Sequence, residues 1–299
     1  MKLGVWIVDG APRVAIVEGG LPVRLLPLAA GDVADVIANP ELLEAAKQPV
    51  LQTGPMLAPL RRPRRNIFCV GKNYREHARE FEGSGFDASS AAQVIPDAPV
   101  IFTKVPESVV GPRARISFDP LVSTAIDYEG ELAVIIGVAG RTISRRNAMD
   151  HVWGYTIIND VTARDFQLRL KQWHVGKSFD TFCPMGPFAV TADEFDLGNA
   201  GLRTWVNGEL RQNANTRDLI FDVPTIIAML SAGVTLYPGD IIATGTPAGV
   251  GIGFKPPRFL KNGDVVAIEI DGIGRLENAV EARPGVTVDP IVGQLLANG

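Results

Sequence analysis

The stretch DYEGELAVIIG at 127–137 places two glutamates at the mouth of an apolar run that reads as a buried strand. Side chains alternate along a strand, so Glu129 and Glu131 share one face while Tyr128 and Gly130 take the other. A second apolar run, WGYTIINDV at 153–161, carries Asp160 at its end, where it can complete a three-carboxylate face. Carboxylates without His or Cys nearby suit a hard cation such as Mg2+, Mn2+ or Ca2+, and leave coordination positions for water or substrate. Glu-x-Glu taken alone fits an ordinary strand surface equally well.

Outward from this stretch, IFCVGKN (67–73), PVIFTKV (99–105), LRTWVNGEL (202–210), DIIATGT (240–246) and DVVAIEIDGIGRLENAV (264–280) also read as strands. SRRNAMDHV (144–152) and VPTIIAMLSAG (223–233) read as helices, the second with Pro224 in its first turn and Gly233 just past its end. Strands outnumber helices without regular alternation, which predicts a mixed β-rich α+β fold and excludes a doubly wound sheet. At the amino terminus, residues 3–8 and 13–17 predict a hairpin turning at Asp9-Gly10, and ADVIANPELLEAAKQ (34–48) predicts one or two short helices. A small amino-terminal α/β module over 1–62 is therefore expected, joined through the solvated linker RRPRR (61–65) to a larger part over 63–299.

Composition narrows the function. The chain has 299 residues, 46% hydrophobic and 21% charged, which is ordinary for a globular protein. A formal charge of -4, with no basic run beyond RRPRR, argues against a nucleic-acid partner. Cys69 and Cys183 supply neither a disulfide framework nor a zinc motif, and both are expected to be buried and inert. The absence of a signal-type apolar segment and of a membrane-length run predicts a cytoplasmic protein with no membrane partner.

Three segments could carry chemistry. His77 and Glu80 lie three apart in a helical stretch, NYREHAREF, where the carboxylate can orient the imidazole as a base; an incidental pair on a solvated helix has the same spacing. The small and polar residues that follow, 82–97, have the composition of a mobile lid that would carry His77 and Glu80 towards the carboxylates only when substrate binds. In NDVTARDFQLRLKQWHVGKSFD (159–180), Asp160, Arg164 and Gln167 are expected on one helix face, with Lys177 after a break at Gly176. Arg164 and Lys177 can hold a carboxylate or a developing enolate oxygen, although each could equally serve an ordinary ion pair or lie solvated. His174 fits a packing role as well as a ligand role, and His151 reads as structural. ATGTPAGVGIG (243–253) ends a strand in a glycine-rich loop whose N–H groups, with the Thr244 and Thr246 hydroxyls, can form an anion-binding nest.

Taken in order, IFCVGKNYREHARE, PVIFTK, DYEGELAVIIG, GYTIINDVTARDFQ, GKSFDTFCPMGP, VNGELRQ and LYPGDIIATGTPAGVG closely resemble the fumarylacetoacetate hydrolase (FAH) family over about 66–274. The resemblance implies a β-sandwich roll, usually a homodimer, acting on small 2-oxo or 2,4-dioxo acids with Mg2+ or Mn2+. It implies Glu129, Glu131 and Asp160 as metal ligands, Arg164, Gln167 and Thr246 as substrate contacts, Lys177 as a stabiliser of developing charge, and His77 with Glu80 as a lid dyad. The leader of about 60 residues and FKPPRFLKNGDVV (254–266) look more like bacterial relatives described as oxaloacetate decarboxylases or hydroxymuconate isomerases than like the animal hydrolase, and the chain resembles a bacterial acylpyruvase or oxaloacetate decarboxylase-like member. The expected activity is C–C bond cleavage by hydrolysis or decarboxylation through a metal-bound enolate. A hydroxymuconate-type isomerase or tautomerase at the same site is the alternative, with a non-catalytic metal-binding protein as the other.

Overall fold

The computed structural model describes residues 1–50, 52–82, 95–283 and 285. Among them, strands form a twelve-stranded sheet, a five-stranded sheet and a two-stranded pair. Gly130–Ile136 runs antiparallel between Val152–Asn159 and Ile241–Ala243 at the centre of the large sheet. Beyond Ile241–Ala243 lie Ile67–Gly71, parallel to it, and then Val100–Lys104. On the other side, Val152–Asn159 pairs with Cys183–Thr191, which pairs with Lys2–Val8.

The unbroken apolar run has a simple cause: Gly130–Ile136 is buried along its whole length. Leu132, Val134 and Ile136 enter one core with Leu202, Ile268 and Leu276 of the five-stranded sheet. Ala133 and Ile135 enter a second core with Leu3, Val5, Val14 and Val33 of the amino-terminal segment. Gly130 belongs to the first face, where an added Cβ would press on the Thr204 hydroxyl and lie 3.1 Å from Ile268 Cγ2. Gly130→Ala should therefore destabilise the fold by about 1–3 kcal/mol through overpacking, read as a lowered urea midpoint with unchanged m-value.

The helices are α1 (Val33–Ala38), α2 (Arg75–Glu82), α3 (Arg164–Leu170), α4 (His174–Lys177) and α5 (Val223–Gly233). The Asp32 side chain caps α1 and the Asp222 side chain caps α5. Gly233 proves to be the last residue of α5, not the first beyond it. The segment 144–152 forms a 3-10 helix, Arg145–His151, where an α-helix was expected. No helix among the described residues is long and apolar enough to cross a membrane.

The amino-terminal hairpin turns as expected, with Asp9 at φ 51° and Gly10 at φ 78° joining Lys2–Val8 to Ala11–Glu18. LRTWVNGEL, read as one strand, is two strands folded at Asn207-Gly208, both at positive φ; this Asn-Gly signal went unread. The run 264–280 likewise folds back between Val265–Ile270 and Gly274–Ala282. RRPRR is not a solvated linker. Arg65 pairs with Asp240 through Nε at 3.0 Å and stacks on Phe68, while Arg64 stacks on Tyr237, so the segment is bound to the large sheet.

Candidate active site

Register places the three carboxylates. Gly130 faces Asn159 across the ladder, so Glu129 and Asp160 emerge side by side just past the paired strands, and the Asp160 N–H donates to the Glu129 carbonyl at 2.8 Å. Glu129, Glu131 and Asp160 are buried, offer one oxygen each within 4.8 Å of one another, and could together hold a metal ion.

Cations surround two of the three. Lys177 Nζ lies 2.7 Å from both Glu129 Oε2 and Asp160 Oδ2. Lys104 Nζ lies 2.6 Å from Asp160 Oδ1, and Arg164 bridges Glu129 Oε1 at 2.7 Å and Asp127 Oδ2 at 2.9 Å. Burial alone would raise the Glu129 carboxyl, but Lys177 and Arg164 outweigh it and hold the group down at about 2. Glu131 differs. It accepts a hydrogen bond from the Gly245 N–H at 2.7 Å, but among the described residues no lysine or arginine forms an ion pair with it. Burial first, then the Asp160 and Glu129 charges, push its carboxyl well above the usual range.

Glu129, Glu131 and Asp160 form a buried all-oxygen set, and that donor chemistry fits a hard divalent cation.

His77 and Glu80 sit on α2, with Nδ1 3.2 Å from Glu80 Oε2. Both Glu80 oxygens also receive the Gly249 N–H, at 3.0 and 3.2 Å. His77 is buried and lines one pocket with Glu129, Glu131, Arg164, Gln167, Lys177 and Thr246, while Glu80 anchors α2 to the Gly249 turn. The expected lid lies largely in 83–94, outside the described residues.

Asp160 does not share a helix with Arg164 and Gln167 as expected. It lies just past the strand Val152–Asn159, the short strand Thr162–Ala163 intervenes, and α3 starts only at Arg164. Arg164 Nη1 then donates to Gln167 Oε1 at 3.0 Å, one turn along α3. The break before Lys177 is at Lys171, at φ 57°, while Gly176 lies inside α4, where a Cβ would sit 2.8 Å from the Ala163 carbonyl. His174 Nδ1 contacts the Thr103 carbonyl at 2.9 Å, a packing role, and His151 Nδ1 contacts the Val138 carbonyl.

The glycine-rich loop is an anion nest, but the anions are the protein's own. Gly245 serves Glu131, Gly249 serves Glu80, and Gly251 and Ile252 serve Asp127. The Thr244 hydroxyl donates to the Leu132 carbonyl, and the Thr246 hydroxyl donates to the Gly130 carbonyl.

Residue-by-residue reading missed Lys72, Lys104, Asp127, Phe102 and Trp173. Lys72, Phe102 and Trp173 line the pocket; Trp173 meets Phe102 edge-on at 5.3 Å and covers Gly71, which has no Cβ to obstruct the ring. Lys72 is buried at φ 56°, an unusual backbone conformation for a non-glycine residue and a sequence-silent one. Both cysteines are buried as expected; burial raises the Cys69 thiol and pushes Cys183 up to about 12, so neither is a nucleophile at neutral pH.

Fold and site together define a sheet-rich enzyme in which carboxylates, cations and the imidazole of a His–Glu pair converge on one pocket. Residues 66–281 match the fumarylacetoacetate (FAA) hydrolase C-terminal family, and the chain belongs to that family. It is 48% identical over 250 residues to oxaloacetate tautomerase YisK of Bacillus subtilis, covering 80% of each chain. It is 47% identical to the mitochondrial oxaloacetate tautomerase fahd2 of Xenopus laevis over 228 residues, 75% of this chain and 68% of that one. Among solved structures, a fumarylacetoacetate hydrolase from Exiguobacterium antarcticum superposes with a TM-score of 0.81 at 43% identity, covering 95% of this chain and 100% of that one. A 2-hydroxyhepta-2,4-diene-1,7-dioate isomerase from Mycobacterium marinum gives 0.73 at 35% identity, with the same coverage. The mixed, sheet-rich fold expected from the sequence is thus the fold of this family.

Proposed function

We propose that the chain interconverts the keto and enol forms of a small 2-oxo dicarboxylic acid of the oxaloacetate type. The observation that carries this reading is the one pocket lined by His77, itself paired with Glu80, by the carboxylates Glu129 and Glu131, and by the cations Arg164 and Lys177. The names of the relatives at 45–48% identity support a tautomerase, and they move the emphasis from C–C cleavage to proton transfer.

Glu129, Glu131 and Asp160 would hold Mg2+ or Mn2+. Bound there, the cation would supply Lewis acidity towards a 2-oxo acid. The protein's own groups do the rest. With His77 Nδ1 directed to Glu80, Nε2 is the nitrogen that takes the proton as the C3–H bond breaks; a proton then returns to the oxygen on C2, and the reverse direction restores the keto form. The electrons of the broken bond form the enol double bond, and no atom is gained or lost. Lys177, kept protonated because Asp160 and Glu129 outweigh the effect of burial, stabilises the negative charge that develops in between. Arg164 and Gln167 orient the C1 carboxylate, and Lys72 supplies a further pocket cation for the second carboxylate.

The same pair could activate water for hydrolytic cleavage of a 2,4-dioxo acid, a reading supported by the 43% identical structure named as a fumarylacetoacetate hydrolase. Decay of enol absorbance for oxaloacetate, carbon dioxide release from it, and cleavage of acetylpyruvate, each with and without Mg2+ or Mn2+, separate the readings. Cleavage faster than enol decay would overturn the tautomerase reading, and no acceleration of any of the three would overturn both.

The metal reading has its own expected result. Coordination needs Glu131 as a carboxylate, whereas its environment favours the protonated form. Loading should release protons, and affinity should rise with pH. Calorimetric titration in two buffers of different ionisation heat measures the release; a buffer-independent heat would exclude Glu131 as the group displaced.

A further inference from the structure

The turn at 249–253 touches the proposed base from one side and the carboxylate-bearing strand from the other. On the first side, Glu80 receives the Gly249 N–H on both oxygens and lies directly over Gly253. A Cβ on Gly253 would overlap Glu80 Oε1 and stand 2.6 Å from Cγ. Gly253 is not at positive φ, so glycine is required there for the room it leaves rather than for backbone freedom. Gly249 is at φ 105°, and its missing Cβ lets the Arg211 carbonyl approach.

On the second side, the Tyr128 hydroxyl donates to the Gly249 carbonyl at 2.7 Å. The Asp127 carboxylate accepts the N–H groups of Gly251 at 2.6 Å and Ile252 at 3.1 Å. Val250 and Ile252 are buried beneath the turn. Asp127 and Tyr128 immediately precede Glu129, so the element that seats Glu80 is fixed by the same few residues that present the carboxylate cluster.

We infer that this turn is the positioning element of the His77–Glu80 pair, and that Gly253 is the residue whose small size sets where Glu80, and through it the imidazole, stands relative to the carboxylates. The inference rests on the reading of His77 and Glu80 as the proton-transfer pair. Its physical basis is that a base must be held within a fraction of an ångström to act, and here the distance is set by hydrogen bonds to a rigid turn and not by α2 itself.

A double-mutant cycle on the full chain with Mg2+ tests it. Gly253→Ala displaces Glu80 and should lower kcat by about 10–100-fold with KM and Mg2+ affinity nearly unchanged, the range found when a group that orients another is lost. Glu80→Gln should lower kcat comparably, and the double variant should be little worse than either single one, because both changes remove the same interaction. Multiplicative losses in the double variant, or parental kcat in Gly253→Ala, would overturn the inference. Parental kcat in Glu80→Gln would instead overturn the proton-transfer reading, so the two failures are distinguishable. If Gly253→Ala does not fold, Tyr128→Phe, which removes one hydroxyl and with it the hold on the Gly249 carbonyl, enters the same cycle and must show the same non-additivity.

Discussion

Glu131→Gln should lower the affinity for Mg2+ by more than about a hundredfold while leaving the metal-free protein as stable as the parent or more so. The expected loss exceeds the 10–100-fold that follows from removing a group that merely supports a ligand. The stability half of the expectation comes from the asymmetry of the cluster. Glu129 and Asp160 are each paired with two of the buried cations Lys104, Arg164 and Lys177, so removing either leaves buried positive charge uncompensated, which typically destabilises by about 3–5 kcal/mol. Among the described residues Glu131 forms no ion pair with a lysine or arginine, and it stands against two like charges. Glutamine keeps an acceptor for the Gly245 N–H and removes only that like-charge repulsion. Calorimetry on chelator-treated protein and a thermal melt of the same sample measure both halves; Mg2+ binding at parental affinity would remove Glu131 from the proposed site.

That prediction could be framed from the sequence only in part, for a physical reason. Strand parity placed Glu129 and Glu131 on one face, and the fold bears this out down to Gly130, whose place between them is explained by Thr204 and Ile268 of the second sheet. Parity says nothing about what arrives from elsewhere in the chain. Lys104 reaches Asp160 from a strand 56 residues earlier, and Asp127, to which the sequence assigned no role, clasps Gly251, Ile252 and Arg164 through its carboxylate. The strand Cys183–Thr191 went unread because Pro184, Gly186 and Pro187 lower its strand propensity, yet it is almost wholly buried and bridges the amino-terminal hairpin to the central strands. Local rules also misled at Asp160, where backbone spacing that suits a helix was overridden by the ladder pairing of Val152–Asn159. The glycine-rich loop was legible as a nest but not its guests, since donors alone do not reveal whether the anion is a ligand or a side chain of the same protein.

His77→Ala should reduce turnover by about 10²–10⁴-fold, the range expected when a positioned acid–base group is lost, with KM changed far less. Two features of the site make this expectation specific. The imidazole is buried against the same pocket as Glu129 and Glu131, so its removal leaves room for water but no group placed to carry the proton. It is joined to Glu80 at 3.2 Å, and Glu80 remains docked on Gly249 when the ring is gone, so α2 should keep its place and Mg2+ affinity should stay near the parental value. That combination separates lost proton transfer from a collapsed site. The cavity left by the ring also offers a second check: added imidazole should restore part of the turnover in His77→Ala and none in a His77→Ala, Glu80→Ala double variant, where nothing remains to orient the free base. Turnover near the parental level in His77→Ala would mean that Lys177 or water moves the proton, and the pairing of His77 with Glu80 would then serve only to fasten α2 to the sheet.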